Sequence, residues 1–168
     1  MQKLSGEELK VYLRLCHRMS KTDGWRACIH LLLPKAKVTN PASPSALKKA
    51  SLRLGMPLPH DLLSFYRFSN GLTCYGRDLI YPIDRLVEEN LFCRKLSHYM
   101  PMSHFVFFGG DGGGDEYAFG RRMDGEYHST VFVWRNGTDE REEYEGCLER
   151  YLARWATDFQ VHSYLRSE

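Results

Sequence analysis

The segment at residues 105–119 constrains the fold of this chain more than any other. Four consecutive bulky apolar residues, Phe105 to Phe108, run into the sequence GGDGGGD at residues 109–115, hereafter the glycine loop. A second run with apolar residues, 116–119, follows at once. An all-apolar run is typical of a strand buried on both faces, and glycines suit a turn that needs positive φ or close backbone approach. The segment therefore predicts a β-hairpin at the centre of a sheet.

The chain before this hairpin has the apolar periodicity of helices. Apolar residues at helical spacing predict an amphipathic helix over residues 7–20 and a second helix over residues 25–33. The triplet at residues 22–24, which contains glycine, is predicted to break the chain between them. Pro44, just after Ser43, is typical of the first turn of a third helix, and Gly55 is typical of its end.

Three further helices are predicted around the strands. An apolar-rich helix is expected after Pro59, ending at Asn70-Gly71, and it should lie against the sheet. Asp84 is predicted to cap the next helix, and a final amphipathic helix is predicted over residues 145–159.

Strand signals surround the hairpin. Residues 78–82 predict a short strand near an edge, because Pro82 cannot donate to a ladder. Residues 128–134 predict an interior strand with apolar groups on both faces. Asn136-Gly137 is a strong hairpin signal, with a strand over residues 139–144 pairing back. Helices, then strands, then a helix predict an α+β fold with a mostly antiparallel central sheet and flanking helices.

Length and composition favour a single domain over residues 1–168, in which 43% of residues are hydrophobic. No run of 18 apolar residues predicts a membrane span, and the N-terminal residues lack the pattern of a signal peptide. These observations predict a cytoplasmic protein. The five cysteines have no metal-binding spacing and are expected to be reduced core residues.

The net charge of +2 is unevenly distributed along the chain. Residues 1–54 hold 11 Lys and Arg against 3 Asp and Glu, whereas residues 55–168 hold 12 against 18. The basic part could contact nucleic acid or an acidic partner, but no aromatic residues interleave its charges. A solvated helix surface is therefore favoured, and direct nucleic-acid binding is not expected.

The glycine loop raises the question of a metal or phosphate site. It lacks the Lys-Ser or Lys-Thr of a phosphate-binding loop, and its spacing does not fit a dinucleotide fingerprint. Asp111, Asp115, Glu116 and His128 could bind a divalent cation, which would suit a metal-dependent hydrolase. The favoured alternative is that the aspartates accept backbone N–H groups within the turn. No metal and no cofactor are therefore predicted.

A nucleophilic site has less support. The sequence contains no GxSxG motif. Cys74 could pair with His98 or His104 only if the fold brought them together, and most single cysteines are core residues. No catalytic residue is therefore predicted.

A protein-binding surface makes fewer demands on the sequence. The acids of the glycine loop would present negative charge to a basic partner, with nearby aromatic rings as anchors. A second acidic patch follows the Asn136-Gly137 turn. The candidate partner-binding residues are Asp111, Asp115, Glu116, Tyr117, Trp134, Glu140, Glu142 and Glu143.

Several motifs in order resemble the SUKH superfamily. They are Trp25 at a helix start, the Ser43-Pro44-Ser45 start, the run LGMPLPHDL at residues 54–62, Phe65 with Asn70-Gly71, the hairpin at residues 107–119, and the aromatic-bearing end at residues 144–155. The similarity covers residues 25–155 and leaves residues 1–24 as an N-terminal helical extension. It implies an α+β fold and a role in binding.

The resemblance also implies which kinds of partner to expect. Bacterial members of the superfamily are commonly immunity proteins that neutralise a toxin, often a nuclease, from a neighbouring cell. Eukaryotic members include a yeast regulator of cell-wall synthesis and domains attached to F-box proteins. The resulting hypotheses are a non-catalytic immunity protein that neutralises a nuclease-type toxin, a regulatory scaffolding module, and the metal-dependent hydrolase.

Overall fold

The fold is described for residues 21–165 in a computed structural model of the chain, with side chains described for residues 24–157. The helices are α1 (Lys21–Leu32), α2 (Pro44–Leu54), α3 (His60–Tyr66), α4 (Ile83–Cys93) and α5 (Leu148–Leu165). The strands are β1 (Lys37–Val38), β2 (Leu72–Cys74), β3 (Arg77–Ile80), β4 (Phe105–Gly110), β5 (Glu116–Arg121), β6 (Tyr127–Arg135) and β7 (Glu140–Glu145). They form two antiparallel sheets, ordered β1-β2-β3 and β4-β5-β6-β7, which confirms the predicted α+β class.

The hairpin predicted from residues 105–119 is present as β4 and β5. Every residue of β4 is buried, as an all-apolar strand requires. One face of the larger sheet packs Val106 and Phe108 into a core shared with α1 and α5. The other face packs Phe107 and Trp134 into a smaller core cluster. The larger sheet is therefore covered on both sides, and β6 lies in its interior as predicted.

Helix α2 has the predicted ends. The Ser43 hydroxyl accepts a hydrogen bond from the Ala46 backbone N–H at 3.1 Å, and Pro44 occupies the first turn. Gly55 follows the helix with φ of 67°, a left-handed conformation in which a side chain would be strained. These local signals placed the helix correctly because they act within one or two turns of the chain.

The predicted break at residues 22–24 is wrong, because α1 runs through it from Lys21 to Leu32. A glycine in a helix costs about 1 kcal/mol relative to alanine. The helix buries Trp25, Cys28 and Ile29 on one face, and that burial outweighs the cost of Gly24. The helix predicted over residues 7–20 lies outside the described residues.

Helix α4 is capped by a residue distant in sequence. The Asn70 side-chain oxygen accepts a hydrogen bond from the Ile83 N–H at 2.8 Å. Asp84, which the sequence favoured as the cap, lies in the first turn of the helix, so that prediction is wrong. The preceding helix α3 ends at Tyr66, and the chain then returns through β2 and β3 before α4 begins.

The two sheets meet where β3 runs alongside β4. The Tyr81 N–H donates a hydrogen bond to the Phe108 carbonyl at 2.7 Å, at a point where the pairing of β4 with β5 shifts register. A Cβ atom at Gly109 would lie 2.2 Å from the Leu79 carbonyl oxygen. The first glycine of the glycine loop is therefore required by close backbone approach between the sheets.

Asn90 of α4 occupies the outer edge of β4. Its amide nitrogen donates to the Phe107 carbonyl at 2.7 Å, and its amide oxygen accepts from the Phe107 N–H at 2.9 Å. Only 1% of Asn90 is exposed. The side chain therefore satisfies a buried strand edge as a further strand would do.

Replacing Asn90 tests this arrangement. Asn90→Ala is expected to lower the free energy of unfolding by about 2–4 kcal/mol, because both polar groups of Phe107 are left buried and unpaired. Urea unfolding followed by circular dichroism measures the change. The matched control on the same helix is Glu88→Ala, whose exposed ion pair with Arg53 should be worth less than about 1 kcal/mol. Equal losses in both variants would contradict the assigned role of Asn90.

Candidate functional site

A polar cleft of about 310 Å³ lies at the junction of the two sheets. Arg77 and Asp78 of β3 line one side, and Tyr81 and Arg85 line the side towards α4. The opposite side is the glycine loop, with Glu116 at the start of β5. The cleft is therefore assembled from segments on both sides of the β3–β4 contact.

Tyr81 and Glu116 form the central contact of the cleft. The Tyr81 hydroxyl lies 2.9 Å from each carboxylate oxygen of Glu116 and donates to that carboxylate. Gly110 is opposite Glu116 in the strand register, and a Cβ atom there would lie 2.6 Å from the Tyr81 hydroxyl. The missing side chain at Gly110 therefore leaves the space in which tyrosine reaches glutamate.

The Glu116 carboxyl is unusually hard to ionise. Burial raises its pKa from the ordinary value of 4.5 to about 8, and the negative charges of Glu89 and Asp111 act in the same direction. The hydrogen bond from Tyr81 and the charge of Arg85 oppose this shift in part. Burial, followed by the charge of Glu116, likewise raises the pKa of Tyr81. At neutral pH the Glu116 carboxyl therefore mostly retains its proton.

Arg85 is the cation nearest to this pair, and it is already engaged. Its guanidinium forms an ion pair with Asp78 and lies 4.2 Å from the centre of the Tyr81 ring. Asp78 in turn accepts a hydrogen bond from the Thr73 hydroxyl at 2.9 Å. These contacts fix Arg85 beside the cleft, where its ion pair is with Asp78 and its charge compensates Glu116 only in part.

The aspartates of the glycine loop stabilise the loop itself. Asp111 accepts hydrogen bonds from the N–H groups of Gly113 at 2.6 Å and Asp115 at 3.1 Å. Asp115 forms an ion pair with Arg135 at 2.6 Å and accepts from the Asn136 N–H at 3.2 Å. The loop is thereby fixed to the turn between β6 and β7.

The comparisons with known proteins identify the family. The model of the SMI1/KNR4 family (SUKH-1) matches residues 41–154, which is more than half of the chain. The chain belongs to this family. No curated protein matches it. Membership fits a non-catalytic immunity or regulatory module that interacts with other proteins. The extent of a single domain over residues 1–168 stays a prediction.

This SUKH-1 chain does not assemble the metal set considered from sequence. Glu116 pairs with Trp134 near the end of β6, whereas His128 lies at its beginning. At about 3.3 Å per residue, six residues of strand separate them by about 20 Å. Among the side chains of residues 24–157 there is no group of three His, Cys, Asp or Glu that could hold a metal ion.

The cysteine considered as a nucleophile is also in an unsuitable environment. Cys74 is buried in β2, and burial raises the pKa of its thiol to about 11. A thiol with such a pKa is protonated at neutral pH, whereas the reactive species is the thiolate. Cys74 therefore has the character of a core residue.

The two aromatic candidates lie beneath the surface of the larger sheet. Tyr117 is 6% exposed and packs against Tyr144 and Tyr151. Trp134 is 5% exposed, and its indole N–H donates to Asp139 at 2.8 Å. Both rings therefore support the hairpins from within and offer little area to a partner.

The two acidic patches predicted from sequence are joined through Arg135, except that Glu143 lies on the opposite face of the sheet. Glu140, Glu142 and Glu143 are exposed on β7, the edge strand of the larger sheet. Arg135 contacts Asp115 of the glycine loop and also lies 3.6 Å from Glu142. We call the region that runs from the glycine loop across Arg135 to Glu140 and Glu142 the acidic surface. None of the helices within residues 21–165 is long and apolar enough to cross a membrane.

Sequence reasoning missed four of the residues that line the cleft: Arg77, Asp78, Tyr81 and Arg85. The predicted strand over residues 78–82 contained two of them, but the sequence does not show which strand lies beside it. Tyr81 and Glu116 are 35 residues apart and meet only because β3 lies beside β4. The one available signal was the run of small residues in the glycine loop, which indicated close approach without naming the partner.

Glu116 makes folding stability depend on pH. Its pKa is raised from 4.5 to about 8 in the folded chain, so folding favours the protonated carboxyl. Glu116 therefore stabilises the fold most below pH 4.5, and this stabilisation is lost as the pH rises from 4.5 to about 8. Glu116→Gln cannot ionise, so above pH 8 it should be more stable than the parent chain, on the order of 1–3 kcal/mol after allowance for partial exposure. Urea unfolding from pH 4 to pH 9 measures the difference.

The control for this measurement is Glu142→Gln, which removes an exposed carboxylate on β7. It should change the free energy of unfolding little, and the change should not grow between pH 4.5 and pH 8. A constant difference between Glu116→Gln and the parent chain over this range would refute the raised pKa.

Proposed function

We propose that this SUKH-1 chain is a non-catalytic protein-binding module that acts in the cytoplasm as an immunity protein. Its partner would be a toxin of the nuclease class, which the chain neutralises by covering the toxin's active groove. The observation that carries this proposal is the continuity of the acidic surface, which joins the glycine loop to the edge strand β7. Family membership supports the protein-binding part of the proposal.

The chemistry of a nuclease groove suits such a surface. A groove that binds nucleic acid presents lysine and arginine to a row of phosphates. A partner with exposed carboxylates can meet the same cations, which steers the encounter and fixes the register of the complex. Glu140 and Glu142 offer two such groups on one face of β7, and Glu143 offers a third on the other face of the same edge strand.

The acidic surface is held rigidly, which reduces the cost of binding. Asp115 connects the glycine loop to the β6–β7 turn through Arg135 and Asn136. The same turn accepts a hydrogen bond from the Tyr99 hydroxyl at 2.7 Å through the Asn136 side chain. A surface that is ordered before binding loses less conformational entropy in the complex.

Family membership is equally compatible with a regulatory role, in which the chain scaffolds a signalling complex. The two roles share the acidic surface and differ in the partner. A toxin gene beside the gene for this chain would favour immunity, and its absence would favour regulation.

Co-expression tests the immunity role directly. Cells that express the neighbouring toxin should survive when the parent chain is present. Glu140→Lys/Glu142→Lys, which reverses two charges on one face of β7, should abolish this protection, because reversed charges should slow association with a basic groove about tenfold or more at low ionic strength. Survival counts and association rates of the purified proteins measure both effects.

A matched reversal on a distant turn serves as the control. Asp124 and Glu126 lie in the β5–β6 turn, at the other end of β5 from the glycine loop. Asp124→Lys/Glu126→Lys makes the same change in net charge and should preserve protection. Cell death with the well-expressed parent chain would rule out immunity against that toxin, and equal loss in both variants would rule out the acidic surface as the site.

A further inference from the structure

The cleft contains a carboxylate that lacks a cationic partner among the described residues. Glu116 is partly buried, and the group that contacts it is the Tyr81 hydroxyl, which is a neutral donor. Ion pairs in the vicinity join Arg85 to Asp78 and Arg135 to Asp115. A carboxylate removed from water without a counter-charge is costly, so this arrangement favours whatever brings a cation to Glu116.

The charges around the cleft point to a cationic ligand. The charged residues that line the cleft are Arg77, Asp78, Arg85 and Glu116, and the negative charges of Glu89 and Asp111 also act on Glu116. Arg85 already forms an ion pair with Asp78, and Arg77 is exposed at the start of β3. An anion entering the cleft would therefore meet an excess of negative charge next to Glu116, whereas a cation would complete its missing pair.

The dimensions of the cleft suit one long side chain. Its volume of about 310 Å³ corresponds to roughly ten water molecules. This is at the lower limit of pockets that bind small molecules. Gly110, Gly112 and Gly114 form the wall beside Glu116, and a Cβ atom at Gly110 would approach the carboxylate to 3.1 Å. Backbone without side chains leaves room for a planar group next to the carboxylate.

We propose that the cleft receives an arginine side chain of the protein partner, with its guanidinium bound to the Glu116 carboxylate. The inference rests on the proposed protein-binding function and adds to it an anchor position next to the acidic surface. A guanidinium matches a carboxylate with two parallel hydrogen bonds, which an ammonium cannot do. Arginine is also among the residues that most often dominate the energy of an interface.

Binding at this position should be linked to proton release. The titratable and charged groups that act on or respond to Glu116 are Tyr81 before α4, Arg85, Glu89 and Cys93 of α4, Asp111 of the glycine loop, and Tyr151 of α5, whose pKa is raised chiefly by burial. The pKa values of Tyr81 and Cys93 are both raised, that of Cys93 to about 12, so neither loses a proton near neutral pH. Glu116 must ionise to pair with a guanidinium, so affinity should rise with pH up to about pH 8.

N-acetyl-L-arginine amide is a suitable probe, since it carries the guanidinium without backbone charges. In a nitrogen-15 NMR titration of the full chain, it should shift the amide signals of Gly110, Gly112 and Gly114 in a saturable manner. The dissociation constant should fall several-fold between pH 6 and pH 8. Glu116→Gln should weaken binding about tenfold or more, because a charge-assisted pair is lost.

Two controls make the titration decisive. Glu126→Gln, in the exposed β5–β6 turn, should leave the dissociation constant unchanged, and its spectrum reports whether the fold is retained. N-acetyl-L-lysine amide should bind more weakly than the arginine probe. The proposal is overturned by equal binding to Glu116→Gln, by the absence of saturable shifts at pH 8, or by inorganic phosphate shifting the same signals more strongly.

The result can be separated from the test of immunity. Failure of the parent chain to protect cells in the co-expression assay, together with probe binding, would refute the toxin partner and leave the arginine site in place. Probe binding that fails while protection persists would refute the arginine site and leave the immunity role. The titration therefore tests the cleft independently of the identity of the partner.

Discussion

The close contact between β3 and β4 is the constraint on which the rest of this structure depends. The two strands belong to different sheets, yet the Tyr81 N–H donates to the Phe108 carbonyl. They approach closely enough that even a methyl group at Gly109 would overlap the Leu79 carbonyl. This contact sets the distance between the sheets and thereby the position of Tyr81 relative to Glu116. A substitution that disturbs this contact is therefore expected to alter the cleft.

The edge of β4 illustrates how the protein stabilises that contact. A buried strand edge needs partners for its backbone groups, and two different elements supply them. The Asn90 side chain of α4 bonds to both backbone polar groups of Phe107. The Tyr81 N–H, in the segment after β3, donates to the Phe108 carbonyl. Because α4 begins at Ile83, two residues after Tyr81, one segment of the chain both completes the edge and lines the cleft. Stability and the candidate site are therefore not independent in this fold.

Sequence alone predicted the parts of the fold that local chemistry determines. The capped helix α2, the two hairpins and the buried strand β4 follow from signals that act over a few residues. Strands β1 and β2 were not predicted, because two or three residues give too little periodicity to recognise. The cap of α4 by Asn70 and the contact of Tyr81 with Glu116 depend on tertiary approach, which no local pattern reports. The site was therefore predicted in its acidic loop and missed on its opposite wall.

The structure also changes which acid of the glycine loop region is available for chemistry. From sequence, Asp111, Asp115 and Glu116 are equivalent candidates, since all three are carboxylates on one hairpin. The carboxylates of the two aspartates bind backbone N–H groups and Arg135, and these contacts stabilise the loop. Among the described residues, the hydrogen-bond donor to Glu116 is a neutral hydroxyl, and burial removes hydration, so its charge is compensated only in part. The glycines therefore leave the open space of the cleft, and Glu116 is the charged group that a ligand in this space can contact.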